Sequence, residues 1–295
     1  MKEEKVKEYV KTQLEYDYKS DIHPTNTQAM VHISHNKTVN AVKRFSRLNK
    51  VHLLDIGCGW GDFSEKLDPY IEDYIGVDPS IIELERFVKK KKDNRFLIRG
   101  FGENLDFIKD NSRNLILLNS VLDHCYDWQK TLGNCYRILS SNGYLIIAME
   151  NADKLPVRLK KIFGIHAEHH GHLSYLTGED LESNLSNNYY LLERNTSGFL
   201  FGFHYLTKLI PIPVKILVFI NKIFDAVAKL IFPFSGHMLF YVIKSNKNDE
   251  KMNFKNPFRC PSCSNEITFG NKECSNCKFK FDFISDNILD TTIKN

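Results

Sequence analysis

Neither sign of charge dominates this sequence of 295 residues: 40 basic and 36 acidic side chains leave a formal net charge of +4. So small an excess gives no argument by itself for a nucleic-acid partner. The charged start Met1-Lys2-Glu3-Glu4-Lys5 has no apolar stretch behind it, so no secretory signal is expected. No family of internal repeats is visible. Cysteine is sparse, with seven in the chain. Without a signal peptide, thiols or metal ligands are expected rather than disulfides. The expected compartment is the cytoplasm, with a peripheral membrane position left open. What is present is ordinary for a globular protein: 42% apolar and 26% charged residues, enough for one large domain and something small beside it.

Residues 1–50 read as a polar helical extension, with 40–47 as a short amphipathic helix. From His52 the pattern changes. Short apolar runs at 51–56, 74–77, 95–98, 115–118 and 144–149 alternate with helical segments at 61–67, 81–91 and 128–139. Short buried strands alternating with helices predict an α/β fold with a doubly wound, mostly parallel sheet covered on both faces. Further strands are expected at 189–192 and 238–243, and a helix at 180–185 with Thr177 as its N-cap and Asp180 three residues on. Seven strands are expected in all. The expected domains are 1–50, 51–245 with an apolar helical insertion at about 203–233, and 254–295 beyond a polar linker.

Within the insertion, 214–232 reads as one helix. Lys215, Lys222 and Lys229 recur every seven residues and fall along one stripe, while most of the remaining surface is apolar. Three lysines and Asp225 argue against a membrane span, which needs ~20 largely uncharged residues. Packing within the protein, an interfacial membrane helix, and a dimer surface remain as readings.

The segment Asp55-Ile56-Gly57-Cys58-Gly59-Trp60-Gly61 follows a strand and opens a helical pattern. Its glycines allow a sharp turn and close approach to a ligand. The dinucleotide fingerprint Gly-x-Gly-x-x-Gly does not fit, because the third glycine comes one residue early and an acid precedes the first. Asp55 would repel a pyrophosphate and suits a positively charged ligand group. Asp78, ending the second strand, can accept hydrogen bonds from both hydroxyls of a ribose. Gly100-Phe101-Gly102-Glu103 follows the third strand, with Phe101 as a stacking candidate.

In these features the sequence resembles the class I S-adenosylmethionine-dependent methyltransferases, of the type 11/12-like kind. The resemblance rests on the Asp-x-Gly-x-Gly-x-Gly loop, on Ile75-Gly76-Val77-Asp78, and on Arg137-Ile138-Leu139-Ser140-Ser141-Asn142-Gly143-Tyr144 before the fifth strand. It spans about 51–150 and extends more weakly to 244. It implies S-adenosyl-L-methionine as cofactor. It places Asp55, Gly57, Cys58 and Gly59 at the methionine part, Asp78 and Pro79 at the ribose, Phe101, Gly102 and Glu103 near the adenine, and Asn119 beside the cofactor. Many members carry Asp-Ala where Phe101-Gly102 stand.

Methyl transfer to a hydroxyl needs alignment and a base. Asn119-Ser120-Val121-Leu122-Asp123-His124 follows the fourth strand, where ligands collect at the C-terminal ends of parallel strands. It does not match the Asn/Asp-Pro-Pro-Tyr/Phe motif of adenine and glutamine N-methyltransferases. It resembles a family segment bearing a histidine, which makes His124 a candidate base or a hydrogen-bond partner of the cofactor. A second cluster, His166-Ala167-Glu168-His169-His170-Gly171-His172, holds four histidines in seven residues. Such density could bind metal, but resemblance favours His172 as a site residue, ahead of a helix start.

Near the end stand Cys260-Pro261-Ser262-Cys263 and Cys274-Ser275-Asn276-Cys277, ten residues apart. Two such knuckles joined by a hairpin make a tetrahedral site for structural Zn2+, with Cys260, Cys263, Cys274 and Cys277 as ligands. A module of about forty residues buries too little core alone, so the metal would supply folding energy. No thioredoxin-like βαβ pattern surrounds these cysteines, which opposes a redox pair. From Asn246 on there are eight basic and seven acidic residues, a balance that gives no footprint for phosphate backbones.

The function expected is methyl transfer to a small-molecule or glycan acceptor, at oxygen, with a histidine as base. The alternatives are an RNA methyltransferase that docks substrate through the ribbon, a lipid or quinone methyltransferase at a membrane surface, and a cofactor-binding scaffold without activity.

Overall fold

The computed structural model describes residues 2–17, 25–90, 92–164, 173–185, 188–203, 212–248 and 252–292. Its centre is one sheet in the order β6-β7-β5-β4-β1-β2-β3-β9-β8. The strands are β1 (Val51–Ile56), β2 (Ile71–Asp78), β3 (Arg95–Arg99), β4 (Arg113–Asn119), β5 (Leu139–Glu150), β6 (Tyr189–Ser197), β7 (Met238–Ser245), β8 (Asp282–Ser285) and β9 (Ile288–Asp290). β1 to β5 run parallel, while β7 lies antiparallel to both β5 and β6. The seven strands expected are all present, but the sheet has nine. The correction comes from the C-terminal segment: β9 pairs parallel with β3 through Leu97↔Ile288, Ile98↔Leu289 and Arg99↔Asp290, and β8 pairs antiparallel with β9. The cysteine-rich segment is thus built onto the main sheet and its core. Phe258, Ile267, Phe281 and Leu289 share one apolar cluster with Leu54, Ile75 and Ile98.

Both faces of the parallel strands are buried, as side-chain alternation requires. Leu54, Ile56, Ile116 and Leu118 face one side. Leu53, Leu97, Leu115 and Leu117 face the other. The helices are α1 (Lys2–Leu14), α2 (Thr25–Phe45), α3 (Ile81–Val88), α4 (Trp128–Ile138), α5 (Leu155–Ile162), α6 (Gly178–Leu185) and α7 (Val214–Ile231). Their starts follow local chemistry. Ser80 caps α3 by accepting from the Glu83 amide, and Asp127 caps α4 by accepting from the Lys130 amide. Thr177 and Asp180 form a reciprocal box: the Asp180 amide donates to Thr177 Oγ1, and the Thr177 amide donates to the Asp180 carboxylate at 2.8 Å.

The helix expected at 61–67 is instead two 3-10 turns, Ser64–Lys66 and Asp68–Tyr70. Gly61, with φ of 63°, lies outside right-handed helical geometry, and Pro69 lacks the N–H that a helix continuing past Asp68 would need. The short helix expected at 40–47 is the end of the longer α2. At the start of the polar stretch Lys247 is tied down: its Nζ donates to Asn111 Oδ1 and to the Arg137 and Leu139 carbonyls.

α7 packs one face inward. Leu217, Val218, Asn221, Asp225 and Ala228 are buried. Leu217 and Val218 meet Ala29 and Ile33 of α2 together with Phe201. Asp225 accepts hydrogen bonds from the amides of Gly198 and Phe199, which fixes the helix to the end of β6. Among the described residues, no helix is long and apolar enough to cross a membrane.

Candidate active site

The C-terminal ends of β1, β2, β3 and β4 collect most of the residues expected around a cofactor. After β1 the chain turns through Gly57, Gly59 and Gly61, with φ of 72°, 50° and 63°. Side chains are strained there. Space matters as well: a Cβ on Gly57 would lie 2.3 Å from Val121, and one on Gly61 2.6 Å from the Phe87 ring. Gly57 and Cys58 donate their amides to the Val77 carbonyl, which joins the loop to the end of β2. Cys58 is buried, and burial raises its thiol pKa well above the usual value.

Three acids stand close to this turn. Asp55 is buried and accepts from Tyr74 Oη at 2.6 Å. Burial pushes its carboxyl up to about 7, and the Tyr74 hydrogen bond pulls against that rise. Asp78 is also buried and is pushed up to about 6. It accepts from the Gly59 amide at 2.9 Å and from the Ser80 amide at 2.9 Å. One carboxylate therefore holds both the glycine turn and the start of α3. Glu83, on α3, pairs with Arg86 at 2.8 Å.

Beyond β3, Gly102 packs tightly, since a Cβ there would lie 2.8 Å from Thr131. The Glu103 carboxylate accepts from the amides of Tyr126 and Asp127, and burial raises its pKa. It thus braces the loop before α4. The Phe101 ring lies edge-on to Tyr126, 6.1 Å between centroids. Pro79 offers its carbonyl to Arg99 Nε at 3.2 Å.

At the end of β4, Asn119 Oδ1 accepts from Ser34 of α2 at 2.8 Å. Ser120 follows with φ of 59°, a conformation that costs energy for a residue with a side chain. The strand end then turns through Leu122–His124, so that His124 is partly exposed with Asp123 behind it. His124 Nε2 lies 3.9 Å from the Asp123 carboxylate. His124 Nδ1 is hydrogen-bonded to Tyr9 Oη. The Asp123 carbonyl accepts from the amides of Leu173 and Ser174. A cavity of about 20 Å³ lies beside Asp123, lined also by Glu150, Asn151, Lys154 and Tyr175. His172, with the histidine cluster 166–172, lies outside the described residues.

Sequence reasoning missed the role of α1, which runs across these strand ends. Tyr9 reaches His124. Further along, Arg99 Nη2 donates to the Leu14 carbonyl, Ser80 Oγ donates to the Tyr16 carbonyl, and Asp17 pairs with Arg86 at 2.5 Å. Arg99 is the junction. Its three nitrogens reach Pro79, Leu14 and, at 3.2 Å, the buried carboxylate of Asp290 on β9. No local pattern marks these residues, because each contact joins segments far apart in sequence.

The four cysteines of the C-terminal segment converge. Their sulfurs all lie within 4.8 Å of one another. Cys260 and Cys277 are 3.6 Å apart, as are Cys263 and Cys274. Backbone amides stabilise thiolates here: that of Asn265 holds Cys263 down to about 6, and that of Cys277 lowers Cys274. Four sulfurs so placed suit one tetrahedral metal ion.

A glycine turn after β1, an acid at the end of β2 and a seven-strand core with an antiparallel β7 define a methyltransferase-type α/β domain. Residues 54–147 match the family described as methyltransferase domain. Over this region the chain is similar to S-adenosylmethionine-dependent methyltransferases of class I. It is 28% identical over 110 residues to a Saccharomyces cerevisiae protein named "Probable S-adenosylmethionine-dependent methyltransferase", a match covering 36% of this chain and 38% of that one. It is 31% identical over 107 residues to the ubiquinone biosynthesis O-methyltransferase of Pelagibacter ubique, covering 35% and 44%. The chain thus spans less than half the length of these curated relatives. Among solved structures, the YcgJ protein of Bacillus subtilis shares the fold with a TM-score of 0.50 at 16% identity, covering 74% of this chain and all of that one.

Proposed function

We propose that this chain transfers a methyl group from S-adenosylmethionine to an oxygen of a small-molecule or glycan acceptor, with His124 as base. The observation that carries the reading is the hydroxyl already held on His124: Tyr9 Oη occupies the position from which an acceptor hydroxyl would give up its proton. Burial and the nearby Asp123 keep the Tyr9 phenol protonated. Where Tyr9 donates to Nδ1, the imidazole proton is on Nε2, which lies 3.9 Å from the Asp123 carboxylate. An acceptor hydroxyl replacing Tyr9 would pass its proton to Nδ1, and the Asp123 carboxylate would favour the imidazolium formed.

The residues around the glycine turn fit the cofactor chemically. Bound there, it supplies a methyl group on a cationic sulfur that needs no further activation. Asp55 would meet the methionine part, with Gly57, Cys58 and Gly59 giving backbone approach. Asp78 would accept from the ribose hydroxyls beside Pro79. Phe101, Gly102 and Glu103 would border the adenine, and Asn119 would lie beside the cofactor. The names of the ubiquinone O-methyltransferase relatives support oxygen as the methylated atom. Cys260, Cys263, Cys274 and Cys277 would hold Zn2+ with no open position, a structural role. The near balance of charge from Asn246 on disfavours an RNA acceptor.

The test is His124→Ala in an assay of methyl transfer to hydroxylated acceptors, with S-adenosylhomocysteine titrated calorimetrically alongside. Turnover should fall by about 10²–10⁴ while affinity for S-adenosylhomocysteine is kept. Unchanged turnover would remove His124 as the base. Absence of S-adenosylhomocysteine binding to the wild type would remove the whole reading.

A further inference from the structure

A helix lying against a globular domain normally turns polar side chains outward. α7 does not. Opposite its buried face it exposes Ile216, Phe219, Ile223, Val227, Leu230 and Ile231, from 51% at Ile216 to 84% at Leu230. With Ile220 and Phe224, also exposed, these side chains present on the order of 800 Å² of apolar surface, above the ~300–600 Å² typical of the largest patch on a monomer. The one acid of the helix, Asp225, points inward onto Gly198 and Phe199 and leaves the outer face without negative charge.

The border of the patch carries positive charge. Lys215 and Lys222 are exposed and fall, seven residues apart, on the flank between the inner and outer faces. α5 carries a second exposed apolar end. It packs beside α7, since Leu155 and Ala228 both meet Phe199. Its far end exposes Ile162 and Phe163, 75% and 76%, next to exposed Lys160 and Lys161. An apolar face bordered by lysines matches a bilayer surface with anionic headgroups, where the apolar side chains enter the acyl boundary and the ammonium groups meet phosphates. A second copy of this chain would bring the same lysine border against itself, and like charges disfavour that contact.

The helices that carry the surface are anchored beside the cavity at Asp123. α5 starts immediately after the cavity that Asp123, Glu150 and Lys154 line. The segment leaving α7 returns to the same place: the Leu155 amide donates to the Ser235 carbonyl, and Asn151 Nδ2 donates to the Phe234 and Gly236 carbonyls.

We infer that α5 and α7 form a docking surface for an anionic membrane, which holds the crevice at the bilayer so that the acceptor is drawn from the lipid phase. The role of docking rests on the methyl-transfer reading, whereas binding to vesicles does not require it.

The experiment uses flotation of the full chain with vesicles of phosphatidylcholine alone, and with about one third phosphatidylglycerol. S-adenosylhomocysteine binding and the oligomeric state by light scattering are measured on the same samples. The wild type should float with the anionic vesicles only. Ile223→Asp, and separately Lys215→Glu with Lys222→Glu, should each lower that binding by about tenfold or more with S-adenosylhomocysteine affinity unchanged. These positions are exposed, so a thermal melt matching the wild type shows that folding is kept. Failure to float with either vesicle, or equal flotation with both, overturns the assignment. So does a stable dimer in solution that Ile223→Asp dissociates, since the face would then be a contact between copies.

Discussion

Lowering the pH from 8 to 6 should weaken binding of S-adenosylhomocysteine, and the two acids of the glycine turn set the size of the effect. Burial holds Asp55 up to about 7 and Asp78 up to about 6. A ligand ammonium near Asp55 and ribose hydroxyls donating to Asp78 both favour the ionised carboxylates. At pH 6 about one tenth of Asp55 and about half of Asp78 are ionised, so independent sites give about a twentyfold loss of affinity relative to pH 8. The sign of the stability effect follows from linkage. Both carboxyls bind protons more tightly in the folded chain than in the unfolded one. Their favourable contribution is complete below about pH 4 and is lost as the pH rises through about 6 and 7. For Asp55, the rise from 3.8 to about 7 corresponds to on the order of 4 kcal/mol as an upper bound. Ligand binding therefore drives deprotonation. Calorimetry in buffers of different ionisation enthalpy should record about one proton released per S-adenosylhomocysteine just below pH 7. Tyr74→Phe removes the hydrogen bond that opposes the rise and should move the affinity curve to higher pH. A flat affinity between pH 6 and 8 with no proton release would refute the placement of Asp55 and Asp78 beside the ligand.

Cys263→Ser should lower the zinc content below one ion per chain, measured by a colorimetric chelator. It should also weaken S-adenosylhomocysteine binding, because Arg99 reaches both β9 and the Pro79 carbonyl. Asp290→Asn, with zinc retained, should lower thermal stability by about 1–3 kcal/mol, as expected for a buried charged partner removed from Arg99; an unchanged melt would dismiss that pair. Asp225→Ala leaves two buried amides without their acceptor and should cost about 2–4 kcal/mol in urea unfolding.

Much of the sheet was legible because its signals are local. A strand ending at Ile56, just after Asp55, and glycines at 57, 59 and 61 encode a backbone that side chains cannot follow, and the positive φ values bear that out. Thr177 and Asp180 likewise announce a helix start through contacts three residues apart. The paired cysteines were readable as one cluster because their spacing limits how far apart they can fold. The ninth and eighth strands were not readable as part of the main sheet. Which edge accepts a strand depends on tertiary pairing, and nothing within 282–290 names β3 as the neighbour. Tyr9 escaped for the same reason: a tyrosine in a polar helix carries no mark of the histidine it meets 115 residues later.

The parallel pairing of β3 with β9 has a consequence for how the molecule comes together. Arg99 and Asp290 are 191 residues apart. During synthesis the core strands are complete while the outer side of β3 still presents open amides and carbonyls. Until the cysteine-rich segment arrives, that rim is a template for any other extended chain, including another nascent copy. Metal supply would then act on the yield of folded protein as well as on its final stability, because the step that shields the rim is the one that assembles the four thiolates.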